Sequence, residues 1–190
     1  HVFIAIVGFV GILAAGLIGW YLLGWEAGIL SMIFLFFTCR YTGHATFNPK
    51  DLPFASFYLL SIYFLIRYIG ALPKINWKTV AGLTGAIALA INVRIGGLLL
   101  FAYLGMFTAI AVYLIYRKDQ NIVKWSKLKP IALSLAVVGI GGYLLGKYAL
   151  DSGVISTVPI IIMAVGLAPL GMAFGTLNKH RQEIEIAKNK

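Results

Sequence analysis

Long apolar runs broken by short polar punctuation set the pattern of this chain. Seven of them predict helices: Val2–Leu23, Ala27–Cys39, Leu52–Ile69, Thr79–Asn92, Ile95–Tyr116, Pro130–Ala149 and Val154–Leu177. The breaks are made of turn formers and charge. Gly24-Trp25-Glu26 predicts a tight turn, Asn48-Pro49-Lys50-Asp51 a second, Pro73-Lys74 a third and Lys118-Asp119-Gln120-Asn121 a fourth. Glycines at 8, 11, 16 and 19 stud the first run, and Gly142/Gly146 and Gly171/Gly175 are GxxxG pairs. Small residues of this kind let helices approach closely within a bilayer. Pro159 and Pro169 predict kinks in the last helix.

Composition turns these helices into membrane spans. Of 190 residues, 61% are apolar and 12% charged, with a mean hydropathy of +0.91. A soluble domain is nearer 45–50% apolar and about a quarter charged, so a water-soluble globule is excluded. Disorder is excluded by the abundance of aromatic and branched residues. The predicted class is all-α: a polytopic membrane protein of about seven transmembrane helices. A net charge of +10 suggests nucleic acid only in a soluble protein; between apolar runs it reads as loop bias. With the Trp25 turn, 70–78, 117–129 and the tail after Leu177 on the cytoplasmic side, 12 of the 16 basic residues fall there and 4 opposite. The expected topology is N-terminus out, C-terminus in, with Trp77 and Trp125 as interfacial anchors. The basic tail Asn178–Lys190 reads as a solvated, lipid-attracted helix end. The single cysteine, Cys39, can form no intrachain disulfide.

Helix length then locates a candidate site. Crossing a hydrocarbon core of about 30 Å takes about 20 residues. Ala27–Cys39 and Thr79–Asn92 each cover only about 20 Å. Both start at the cytoplasmic face in this topology and stop short of the outer one. The polar loop 40–51 and Arg94 are therefore expected to be recessed in one hollow open to the outside, because polar backbone at depth is tolerated only beside a cavity or under protein.

Arg94 lies in Asn92-Val93-Arg94-Ile95-Gly96-Gly97. An arginine within a membrane costs about 2.5–3.5 kcal/mol on insertion scales and marks functional pathways. Its fork suits phosphate, a helix start at Ile95 favours an anion, and Gly96 and Gly97 let the anion approach. The alternative is an arginine that snorkels outward or pairs with Asp51. In the loop, Asp51 precedes Leu52-Pro53 and reads as a helix N-cap, a role compatible with orienting a hydroxyl or holding a divalent metal. Arg40, His44, Asn48 and Lys50 lie close to it in sequence. His44 alone reads as a hydrogen-bonded structural residue. No Cys/His spacing supports zinc, and His44 and His180 fall on opposite sides, which excludes a shared haem iron.

Gly43-His44-x-x-Phe47-Asn48-Pro49-Lys50-Asp51-x-Pro53-Phe54-Ala55, followed by a helix, a loop with Trp77, and Asn92-x-Arg94-x-Gly96-Gly97, resembles bacterial GT-C glycosyltransferases. These are polytopic enzymes related to protein O-mannosyltransferases and the lipid A aminoarabinose transferase. The resemblance covers roughly residues 1–117 as a GT-C-like transmembrane region; 118–190, two further helices and a basic tail, match no pattern. It implies transfer of a sugar, usually with inversion, from a polyprenyl-phosphate carrier to an acceptor on the outer face of the bacterial inner membrane. Asp51 would be the acidic residue of the loop closing over the reaction centre. Arg94 would hold the carrier phosphate, helped by Lys50 or Arg40.

The chain departs from that family in two places. The acidic residue usually assigned as general base, in the first outer loop, has no counterpart here, and neither does the large soluble C-terminal domain. With His1 leading directly into an apolar run, the chain reads as a piece of something longer. Two rival readings follow: a non-catalytic membrane subunit that kept lipid binding, and a small transporter or lipid-carrier flippase. The absence of a visible inverted repeat counts against the flippase.

Overall fold

The computed structural model describes residues 2–118 and 125–149. The predicted helix Val154–Leu177, its prolines, Asp151, His180 and the basic tail lie outside the described residues, as does Gly171/Gly175. Seven α-helices and one 3-10 turn make up the described chain: α1 (Val2–Leu23), α2 (Trp25–Phe37), α3 (Cys39–Phe47), α4 (Asp51–Ala71), α5 (Trp77–Val93), the 3-10 turn Ile95–Leu98, α6 (Leu99–Lys118) and α7 (Trp125–Ala149). No strand occurs among the described residues. The expected all-α, polytopic membrane architecture is the one observed. Three segments are long and apolar enough to cross a membrane: Val2–Leu23, Asp51–Ala71 and Ile95–Ile115.

Several boundaries differ from the sequence reading; the helix expected to start at Ile95 instead begins at Leu99, after the 3-10 turn. The turn after α1 is Gly24 alone, at φ 101. Only glycine adopts that conformation without strain, so the chain reverses in one residue and Trp25 and Glu26 already belong to α2. The polar stretch after α2 is not a loop but mostly helix, α3. Nothing in residues 39–47 breaks a helix; Arg40 stays exposed and Thr42 and His44 half-buried, while Tyr41 anchors the segment inward. α5 starts at Trp77 rather than Thr79, because the Asn76 side chain accepts a hydrogen bond from the Lys78 backbone N–H and so satisfies one of the orphan donors of a helix start. At 17 residues it extends about 26 Å, so the length deficit is smaller than expected there. α2, at 13 residues, is as short as expected. α7 begins at Trp125, with Pro130 inside the helix.

Two kinds of packing hold the bundle. α4, α5, α6 and α7 share an apolar core in which Leu83, Ile87, Leu100, Phe101, Leu104, Ile131 and Val138 are fully buried. α1 instead meets its neighbours through glycine. A Cβ at Gly19 would lie 2.7 Å from the Ala27 carbonyl oxygen of α2, and one at Gly28 2.9 Å from the Gly16 carbonyl oxygen. Such spacing brings backbone against backbone, as the glycine pattern of the first run predicts. Buried hydroxyls bond back into their own helices: Ser56 to Leu52 O, Ser61 to Phe57 O and Thr84 to Val80 O.

Candidate functional site

Because α4 and α5 run antiparallel, the first residue of α4 lies beside the last of α5. Asp51 occupies the first turn of α4 and Arg94 the C-cap of α5. Each charge thus sits at the helix end whose dipole favours it. The two meet: Arg94 Nη1 donates to Asp51 Oδ1 at 2.5 Å, across 43 positions of sequence. Their side chains are 59% and 50% exposed, so the pair is open rather than sealed. An ion pair this exposed contributes only about 0.2–1 kcal/mol. Among the described residues the Arg94 guanidinium makes no other hydrogen bond.

Asn48 organises the acidic partner. Its Oδ1 accepts from the backbone N–H groups of Lys50 (3.1 Å) and Asp51 (2.9 Å), and its Nδ2 donates to Asp51 Oδ2 (2.9 Å). The second Nδ2 hydrogen faces His44 Nδ1 at 3.3 Å. An amide N–H can only donate, so Nδ1 is the acceptor and the neutral imidazole carries its hydrogen on Nε2. Asp51 is thus not the cap expected of it but the first residue of α4, after an N-cap at Lys50 that makes no side-chain cap bond; Asn48 braces the turn ahead of the helix, and Asp51 faces Arg94. His44 is a hydrogen-bonded residue, as its isolation in sequence suggests, and its Nε2–H has no partner among the described residues.

The remaining candidates are distributed around this chain of contacts. Lys50 is exposed next to Asp51 in sequence, and Arg40 is exposed on α3, outside the hydrogen-bonded set. Gly96 is exposed, with Phe54 against it. Gly97 is buried, and a Cβ there would come within 2.7 Å of the Ile91 backbone nitrogen. Its own N–H bonds Arg94 O at 3.0 Å. Gly97 thus lets the 3-10 turn close onto the end of α5 and offers no free N–H to an anion.

Tyr41, Ser56 and Gly11 escape a reading by motif, yet they fix α3 over this end of the bundle. Tyr41 Oη donates to the Gly8 carbonyl of α1 (2.9 Å) and lies 2.9 Å from Ser56 Oγ of α4. Only hydrogen at Gly11 permits this, since a Cβ there would run into both hydroxyls. Burial pushes the Tyr41 hydroxyl pKa up, and the Ser56 hydrogen bond offsets this in part. The hint in the sequence is the Gly8/Gly11 small face of the first helix.

Among the described residues no group of three His, Cys, Asp or Glu side chains converges as a metal site would. No family model matches this chain, and neither does any curated protein or solved structure.

Proposed function

We propose that this chain is a membrane glycosyltransferase of the GT-C type, or part of one, moving a sugar from a polyprenyl-phosphate carrier to an acceptor on the outer face of a bacterial inner membrane. The observation that carries the reading is the pairing of Asp51 with Arg94. A carboxylate and a guanidinium that makes no other hydrogen bond among the described residues share one exposed place at one end of membrane-length helices. In the proposed reaction the carrier's phosphodiester takes Arg94, its two unesterified oxygens matching the guanidinium fork, and the phosphate gains its second charge as the sugar leaves. Losing that partner frees Asp51 Oδ1, while Asn48 keeps Oδ2 and the carboxylate's direction. Asp51 then accepts the acceptor hydroxyl proton as the acceptor oxygen bonds to the sugar's anomeric carbon. The bond from that carbon to the carrier phosphate breaks, and Arg94, with Lys50 or Arg40, stabilises the charge left on the phosphate.

A second reading, a non-catalytic subunit that binds lipid phosphate, draws on the engagement of both Asp51 oxygens, which fits a carboxylate serving to hold Arg94. The test is transfer from a labelled polyprenyl-phosphate sugar by membranes carrying the chain. D51N and R94A are expected to abolish transfer while both proteins still fold. In the charge swap D51R/R94D the pair is rebuilt, so a purely structural role predicts normal behaviour and the transferase role predicts none. Carrier binding that survives D51N without any transfer by the parent chain supports the subunit. Movement of lipid-linked sugar between leaflets without transfer identifies a flippase instead.

A further inference from the structure

The opposite end of the α4–α5 hairpin carries charge of one sign only. Arg67 lies in the last turns of α4, Lys74 in the connection and Lys78 in the first turn of α5, and all three are exposed. No Asp or Glu occurs anywhere from residue 52 to 118, so the hairpin supplies no counter-charge at this end, its one acid being Asp51 at the other. Glu26 is the one described acid at this end, on α2. The connection is pinned rather than loose: Leu72 and Ile75 pack against the core that holds Leu65, Tyr68 and Val80, which leaves Lys74 facing outward. Arg67 is also held in place, with its Nη1 3.1 Å from Tyr63 Oη and its guanidinium 5.8 Å from the centre of that ring. Exposed aromatics gather at the same level. Trp77 starts α5, Trp20 and Tyr21 end α1 and Trp25 opens α2; the Tyr21 hydroxyl lies against Gly70 at the end of α4.

Aromatics at the ends of membrane-length helices mark the headgroup level, and clustered cations there attract acidic lipids. We propose that Arg67, Lys74 and Lys78 form a binding surface for the headgroups of acidic phospholipids. A membrane ligand is favoured over a soluble anion because the cations are set among exposed aromatics at the ends of membrane-length helices, the level at which a lipid's phosphate lies. The surface lies at the far end of the bundle from Asp51 and Arg94, so it stands or falls independently of sugar transfer.

The test uses the full chain in nanodiscs of phosphatidylcholine with a spin-labelled phosphatidylglycerol or phosphatidylcholine probe. Phosphatidylglycerol is expected to be preferentially immobilised, the preference falling about fivefold for each cation removed and disappearing in R67Q/K74Q/K78Q. The conservative variant R67K/K74R/K78R retains it, since charge rather than fork geometry is used. Equal immobilisation of the two probes overturns the proposal, as does a preference that survives the triple glutamine variant. Loss of the preference to inorganic phosphate at matched ionic strength overturns it too, because it makes the surface a soluble-anion site.

Discussion

The two ends of the α4–α5 hairpin use cations in opposite ways. At one end Arg94 faces Asp51 at 2.5 Å, and Asn48 holds the far oxygen of that carboxylate. At the other, Arg67, Lys74 and Lys78 have no acid at their end of the hairpin. A charge paired with an acid that a third residue orients suits a ligand that must be positioned. Charges with no acid against them among the described residues, around a pinned connection, suit a surface that many similar headgroups visit. The same residue type therefore reads as site or as surface according to what its neighbours do with the remaining hydrogen-bonding capacity.

The sharpest way to break this contrast is chemical. D51N is expected to lower sugar transfer by about 10²–10⁴-fold, the range for a lost general base, and R94A by about 10²–10³-fold, the range for a lost charge-stabilising donor. Both should shift thermal stability by no more than about 1 kcal/mol, given the exposure of the pair. Unchanged transfer in both variants removes the site. Next is the packing that presents it. Gly11→Ala drives a methyl into the Tyr41 and Ser56 hydroxyls, and overpacking of this sort costs about 1–3 kcal/mol, read as earlier thermal unfolding in detergent. Stability equal to the parent would mean that α3 is not docked through Tyr41.

Asn48→Ala removes two hydrogen bonds to the backbone of the turn, worth about 1 kcal/mol each, and also frees the Asp51 carboxylate. Asn48→Asp should keep those backbone bonds while weakening transfer, because a second carboxylate replaces the amide donor beside Asp51. The smallest effect concerns Tyr41. Its pKa is raised by burial, so the folded state holds this proton more tightly than the unfolded chain does. Stability from this group is complete below the ordinary tyrosine pKa of about 10 and falls as pH climbs above it. Tyr41→Phe should lose the hydrogen bonds, about 1 kcal/mol, and show a shallower alkaline decline than the parent. Parallel declines would show that Tyr41 takes no part in it.

Much of this molecule was legible from apolar periodicity, and what was not has identifiable causes. The extents of α1 and of the helix after Pro49 follow from run length and punctuation. α3 was hidden because hydropathy detects a helix only through its apolar face, and Cys39–Phe47 presents mainly polar groups. The early start of α5 was hidden because its signal is one Asn side chain bonding two residues onward, a local geometry that composition does not register. Asn48 looked like one polar residue among several; its role as brace of the turn and carboxylate holder depends on a conformation in which four polar partners face a single amide.

By itself, the sequence determined the solvent this protein folds in, the helical class and the residues with any capacity for chemistry, since these depend on which side chains are present and how far apart the polar breaks fall. It also left two fates open for Arg94, phosphate or Asp51. Only the tertiary structure decided that Arg94 and Asp51 share one place, because that follows from the antiparallel return of α5 along α4. The same return separates Arg67, Lys74 and Lys78 from any acid on their hairpin. Charges have meaning only relative to their neighbours, and in a helical bundle those neighbours are set by how the helices lie against one another.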